Sequence, residues 1–364
     1  MAECVSPPKP GGAVGYRLRR AVCAGWVAVA AAALPVCAHA GPDDPIVESG
    51  ALLSDPVSAD GSRVLSVEVK DERDLALEVY SAAMDKPVHL DVLRPADTSV
   101  PRPTLYLLNG TNAGVDQKNW HDQVPEVFDF LGAQDVNVIV PRGGLASYYT
   151  DWRAPDPKLG VNKWKTFFTE ELPPLIDAGL GTDGVNAIAG VSMSATPALN
   201  LAITKPGLFK AVATYSGCAQ TSDLAGQAFA RIVVASEGGD ADNMYGPVGD
   251  PMWADNDPYL HADRLRGLGL FLSSGNGIPG QYDVVDGRFV LDPGIDGYLE
   301  HLLYDGTIEA ATGYCTRNLA ARLADLGIPA TVDLPPDGTH SWGVFRDELY
   351  KSWPVLTKGL GLTK

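Results

Sequence analysis

The sequence predicts an α/β fold in which a mostly parallel central sheet carries helices on both faces. Two observations predict it. From Thr104 onward, short apolar runs alternate with turns and with segments of helical period, the pattern of strands joined by helical crossovers. Several of the runs lack polar alternation, as in Leu105-Tyr106-Leu107-Leu108, as expected of strands buried on both faces.

The elements follow in order. Residues 62–70, 75–81 and 87–93 show β-branched alternation broken by charged turns, and read as strands. Thr104–Leu108 ends at Asn109-Gly110, and 136–140 ends at Pro141-Arg142-Gly143-Gly144, so each strand feeds a loop. Apolar spacing predicts a helix over 164–176. A short strand, 185–189, is followed by a sharp turn and an Ala/Leu-rich helix over 195–203. Strands at 211–215, 268–273 and 330–334 complete the set. The loops after Ser273 and around 238–257 are long and rich in Gly, Pro, Asp and Asn. At the carboxyl ends of sheet strands, such loops would rim a substrate cleft.

Three stretches divide the 364 residues: a leader (1–40), a flexible tether (41–61) and a catalytic domain (62–364). Arg17, Arg19 and Arg20 precede an apolar run that closes on Ala38-His39-Ala40, the pattern of a cleaved secretory signal peptide. The run is shorter than the ~20 apolar residues of a membrane span. Cys37 follows Val36 rather than a small residue, so lipid attachment is not expected. Residues 41–61 are rich in Pro, Asp and Ser without period, and read as the tether. Cleavage after Ala40 removes four cations and one anion, taking the formal charge from −17 to −20. That surface repels nucleic acid and anionic headgroups, so neither is an expected partner. Of five cysteines, only Cys218 and Cys315 remain in the exported chain, an even pair and a disulfide candidate. No Cys or His spacing suggests a metal site, and no cofactor is expected.

Gly190-Val191-Ser192-Met193-Ser194 lies between a predicted strand and a predicted helix. This is the context of a nucleophile elbow in an α/β-hydrolase fold, where small flanking residues let a strained corner expose the serine. Ser194 stands where a second glycine is usual. Chain order in this fold is serine, acid, histidine. Of six histidines, His39 leaves with the leader, His89 and His121 come too early, and His261 and His301 suit surface or packing roles. His340 follows the last strand and is the expected base. For the acid, Asp283, Asp286, Asp292, Asp296 and Glu300 all remain open on spacing.

The chain resembles the antigen 85 mycolyltransferases and their corynebacterial relatives, grouped with esterase D-like proteins. The resemblance runs from about Leu105 to Leu356. It rests on ordered strings that include Leu107-Leu108-Asn109-Gly110, Pro141-Arg142-Gly143-Gly144, Tyr149-Thr150-Asp151-Trp152, Gly190-Val191-Ser192-Met193, Ser274-Gly275-Asn276-Gly277, Tyr298-Leu299-Glu300 and Pro336-Asp337-Gly338-Thr339-His340-Ser341-Trp342. It implies a triad of Ser192, Glu300 and His340, and an oxyanion hole from the backbone N–H groups of Met193 and Thr111. It also implies an acyl-serine formed from a glycolipid or long-chain ester, with a sugar, polysaccharide or protein hydroxyl as acceptor.

Departures bear on the acceptor. The family's aspartate and arginine for trehalose are Asn109 and Asn112 here, its short disulfide loop is missing from 155–162, and its buried cysteine is Ser274. Two neutral amides grip a sugar less tightly than a charged pair, so weak transfer to trehalose is expected. Asn109, Asn112, Arg142 and Trp342 are the candidate substrate-binding residues. The resulting expectation is an exported envelope acyltransferase of mycoloyl-like chains, with a carboxylesterase as the alternative. A non-catalytic binding protein is disfavoured, because each triad position holds a competent residue.

Overall fold

Ten strands form one sheet in this computed structural model, which describes residues 46–47, 52–290 and 292–362. They are β1 (Ile46–Val47), β2 (Arg63–Val69), β3 (Asp74–Ser81), β4 (Lys86–Leu93), β5 (Thr104–Leu108), β6 (Asn137–Arg142), β7 (Asn186–Val191), β8 (Phe209–Tyr215), β9 (Gly269–Ser273) and β10 (Thr331–Asp333). Their spatial order is β1-β2-β3-β4-β6-β5-β7-β8-β9-β10. β2, β3, β4 and β6 pair antiparallel, while β6, β5, β7, β8, β9 and β10 pair parallel in turn. The chain reverses its direction of travel across the sheet at β5, and clefts form at the carboxyl ends of strands beside such a switch.

Side-chain alternation fills both faces. Tyr106 and Leu108 pack on one side with Ile188 and Phe209, and Leu105 and Leu107 on the other with Ala187 and Ala189. The first face is covered by helices Leu172–Leu180 and Ala195–Thr204, the second by Glu126–Gly132 and Trp342–Gly359. Full burial of one such Leu contributes about 1.5–3 kcal/mol, which is why the consecutive apolar runs read correctly as central strands. The helix expected over 164–176 begins as predicted but passes through a π-helical turn, Phe167–Glu171, before Leu172–Leu180. Pro173 and Pro174 lack the N–H groups that an unbroken α-helix would need there.

The expected tether is partly docked. Ile46–Val47 pair in parallel with β2, the Leu53 N–H donates to the Gly179 carbonyl at 2.8 Å, and Ser58 is buried. Leu52 packs against the first-face core and supplies the apolar contact that the composition of 41–61 obscured. The expected leader, 1–40, lies outside the described residues. Among those described, no helix is long and apolar enough to cross a membrane.

Cys218, just past β8, is disulfide-bonded to Cys315 on the long helix Gly294–Asp325, across 97 residues of chain. In the chain-entropy account, closing a loop of that length contributes up to about 4–5 kcal/mol. Thiol titration of the native protein should therefore find neither cysteine reactive, and reduction should lower the melting temperature by several degrees. Two reactive thiols before reduction would contradict the bridge.

Candidate active site

The carboxyl ends of the parallel strands converge. β5 delivers Asn109-Gly110-Thr111, β7 delivers Ser192, β8 delivers Ser216, β9 delivers Ser274-Gly275, and the loop after β10 delivers His340. Ser192 sits at the corner between β7 and a single 3-10 turn, Ser192–Ser194, that runs into helix Ala195–Thr204. Its φ of 56° is in the left-handed region that non-glycine residues avoid. Such strain persists only where the surroundings hold it. Two neighbours do so here. A Cβ on Gly190 would overlap the Ser194 carbonyl, so only glycine lets the turn fold back on β7. Ser194, in place of the usual glycine, accepts the Val191 N–H on its Oγ at 2.8 Å and caps the corner from inside.

The Ser192 hydroxyl donates to His340 Nε2 at 2.8 Å, and His340 Nδ1 donates to Glu309 Oε2 at 2.7 Å. Glu309 is fully buried. Its other oxygen, Oε1, accepts from Ser216 Oγ at 2.7 Å, Ser274 Oγ at 2.8 Å and the Gly275 N–H at 2.6 Å. A buried carboxylate is costly unless donors of this kind compensate it. A Cβ on Gly313 would overlap the Gly275 carbonyl, so this glycine admits the β9 loop to the helix face that carries Glu309.

The carboxylate on His340 is therefore not Glu300. Glu300 is exposed on the same helix, nine residues earlier. Nine residues are two and a half helical turns, so Glu300 faces away from Glu309 and lies about 13 Å along the axis. Helical phase thus separates the glutamate of Tyr298-Leu299-Glu300 from His340. A signal was present in the sequence. Gly306, Glu309, Gly313 and Thr316 recur at spacings of three and four and are all buried, and Glu309 is the only acidic residue of that stripe. Of the other carboxylates left open, Asp283 is buried against His301, not His340.

Thr111 lies on the loop after β5, next to Gly110, whose Cα faces the Ser192 side chain, and Met193 follows Ser192 in the 3-10 turn. Among the described residues the Thr111 N–H donates to no backbone acceptor. The Gly110 carbonyl, in the same peptide unit as the Thr111 N–H, accepts the Ala113 N–H at 2.9 Å, which fixes that peptide plane.

The four candidate substrate-binding side chains are engaged elsewhere. Asn109 is buried, accepting the Trp120 N–H at 3.2 Å and donating to the Pro141 carbonyl at 3.3 Å. It braces the β5 loop and has no free face for a ligand. Asn112 donates to Asp116 Oδ2 at 2.5 Å. Arg142 is ion-paired with the buried Asp91, which Lys70 also meets at 2.8 Å. Trp342 packs edge-on against Trp120 and Phe345 in the second-face core, with centroids 5.3 and 5.6 Å away. Proximity in sequence to catalytic loops suggested ligand contact, whereas packing and charge pairing claimed these groups first.

The putative esterase family matches residues 81–355. Among curated proteins, diacylglycerol acyltransferase/mycolyltransferase Ag85B of Mycobacterium avium is 31% identical over 292 residues, covering 78% of this chain and 83% of that protein. Ag85A of Mycobacterium tuberculosis is 29% identical over 296 residues, covering 79% and 81%. Among solved structures, MPT51 (FbpC1) of Mycobacterium tuberculosis superposes with a TM-score of 0.61 at 22% identity, covering 77% of this chain and 96% of that one. An S-formylglutathione hydrolase from Agrobacterium tumefaciens gives 0.53 at 14% identity, covering 82% and 99%. These structures share the α/β-hydrolase fold.

The geometry separates two glutamates cleanly. Glu309→Gln should cut kcat for a p-nitrophenyl ester by about 10⁴-fold, the usual cost of neutralising a triad carboxylate. Glu300→Gln should change it less than about twofold, as expected of an exposed site. A larger loss at Glu300 would refute the assignment. Gly190→Ala should also abolish turnover, because the added methyl displaces the corner.

Proposed function

We propose, for a chain that belongs to the putative esterase family, that it is a serine acyltransferase moving a long-chain, mycoloyl-like acyl group through an acyl-Ser192 to a hydroxyl acceptor of the cell envelope. The unbroken relay from Ser192 through His340 to the buried Glu309 carries this reading. His340 Nε2 would take the hydroxyl proton as Ser192 Oγ attacks the ester carbonyl. Glu309 would hold the ring in the tautomer that leaves Nε2 free, and would stabilise the imidazolium once formed. The Thr111 and Met193 N–H groups would meet the tetrahedral oxyanion. Collapse breaks the ester C–O bond, and the departing alcohol leaves with the proton from His340. The acceptor hydroxyl then gives its proton to His340 as it attacks the acyl-serine, and Ser192 is regenerated with that proton. The mycobacterial relatives named acyltransferases support transfer as the outcome. Export is supported by the leader signature and by the Cys218–Cys315 disulfide, a bond of oxidising compartments.

One observation favours the alternative, an exported carboxylesterase. Asn112 and Arg142 are tied to Asp116 and Asp91, and Asn109 is buried. Asn109 has no free amide, and the acidic partners of Asn112 and Arg142 weaken the grip either could lend a sugar acceptor against water.

Incubation with a trehalose mycolate ester, with and without added acceptors, followed by mass spectrometry, separates the two. Transfer predicts an acyl adduct on Ser192 and acylated acceptor, with trehalose itself a poor acceptor. Release of free acid alone, at the same rate with every acceptor, would leave the esterase reading. Ser192→Ala should abolish adduct, transfer and hydrolysis together, and retained turnover would overturn both.

A further inference from the structure

Behind the loop that carries His340 lies a second histidine network that the chemistry above does not use. His301, on helix Gly294–Asp325, is buried. Its Nε2 is 2.6 Å from Asp283 Oδ1, and its Nδ1 is 2.7 Å from Asp305 Oδ2. Carboxylate oxygens only accept, and a neutral imidazole has one ring nitrogen that cannot donate. Two such contacts at these distances are satisfied together only when both ring nitrogens carry protons. This geometry fits an imidazolium, whose charge would compensate the buried Asp283 and the half-buried Asp305.

The network closes on the catalytic loop. Asp283 Oδ1 also accepts the Thr339 hydroxyl at 2.5 Å, and its Oδ2 accepts the Gly280 N–H at 2.6 Å. The His340 N–H donates to the Asp305 carbonyl at 3.2 Å. The same two residues, Thr339 and His340, are therefore held from both sides by the pair that clamps His301. Four residues beyond Asp305, the helix presents Glu309 to the His340 ring.

We propose that His301 is a positioning residue: its imidazolium, clamped between Asp283 and Asp305, fixes the Thr339-His340 loop against the helix that carries Glu309. The role rests on reading Ser192, His340 and Glu309 as the catalytic relay.

The groups facing the ring are Asp283 from the loop after β9, Asp305 from its own helix, and the Thr339 hydroxyl from the loop after β10. Among the described residues, neither carboxylate has a lysine or arginine within ion-pair distance. The hydrogen bonds that His301 donates to Asp283 and Asp305 raise its pKa to about 9. The folded value lies above the ordinary one, so the brace is at full strength below about pH 6.5 and is lost as pH rises through about 9. Above that, the buried Asp283 and the half-buried Asp305 flank a ring that no longer carries a charge.

The full exported chain tests this in two ways. Long-range ¹H–¹⁵N correlation of the imidazoles should show His301 protonated on both nitrogens at pH 7 and losing a proton only near pH 9. The alkaline fall of kcat for a p-nitrophenyl ester should share that midpoint. Asp305→Asn keeps the backbone carbonyl that holds His340 but removes one carboxylate, and should move both midpoints down by about one pH unit or more. His301→Gln should lower kcat at pH 7 by about 10- to 100-fold, the scale of a small misplacement of a catalytic group, with KM altered less than about twofold. A neutral His301 at pH 7 would overturn the proposal even if neither variant folds, as would an alkaline limb unmoved in a folded Asp305→Asn. Phosphonate labelling of Ser192 keeps the two failures apart. Failed labelling with an intact imidazolium signal overturns the catalytic reading and the positioning role with it. Normal labelling with a neutral ring overturns the brace alone.

Discussion

The Glu309 carboxylate is the point through which the site is assembled. One oxygen holds His340, and the other gathers Ser216 after β8 and Ser274-Gly275 after β9. Loops from neighbouring parallel strands and one helix thus share a single buried charge. Removing any donor would leave that charge under-compensated in a medium where this costs several kcal/mol. The constraint explains the small residues around it. Gly313 lets the β9 loop reach the helix face, and the Cys218–Cys315 bond ties the β8 loop to the same helix, beyond Glu309.

Ser192 is held by different physics. Ser192 keeps a left-handed backbone because Gly190 and Ser194 interlock beneath it. Its position depends on steric closeness, while that of His340 depends on charge and hydrogen bonds. A relay built this way has one rigid end and one electrostatically held end. The second end is open to pH through the imidazolium and carboxylates around it. That division makes the histidine loop, rather than the elbow, the part of the site that conditions can loosen.

The side chains around the relay show how little of a loop is free to meet substrate. Asn109 spends both ends of its amide holding the β5 loop between Pro141 and Trp120, and Arg142 neutralises Asp91 below the site. Asn109 thereby braces the loop that runs on to Thr111. Substitution of the charged pair seen in antigen 85 enzymes by two asparagines therefore bears on loop support as well as on sugar contact.

Strand positions, the elbow and the late histidine were legible in the residues themselves. Each rests on local patterns: consecutive apolar runs for Thr104–Leu108, a glycine two before the serine at Gly190, and chain order for His340. Docking of residues 52–58 was not legible, because it depends on the Leu53–Gly179 bond and on Leu52 packing, both far away in sequence. Nor was the acid. A string match pointed to Glu300, but which face of a 32-residue helix meets His340 is set by how that helix packs on the strand ends. Sequence alone determined the fold class and the serine–histidine pair, since periodicity and turn chemistry are properties of neighbouring residues. The tertiary structure decided which carboxylate lies beside His340 and which polar side chains were already taken, because burial and charge pairing are settled between segments distant along the chain.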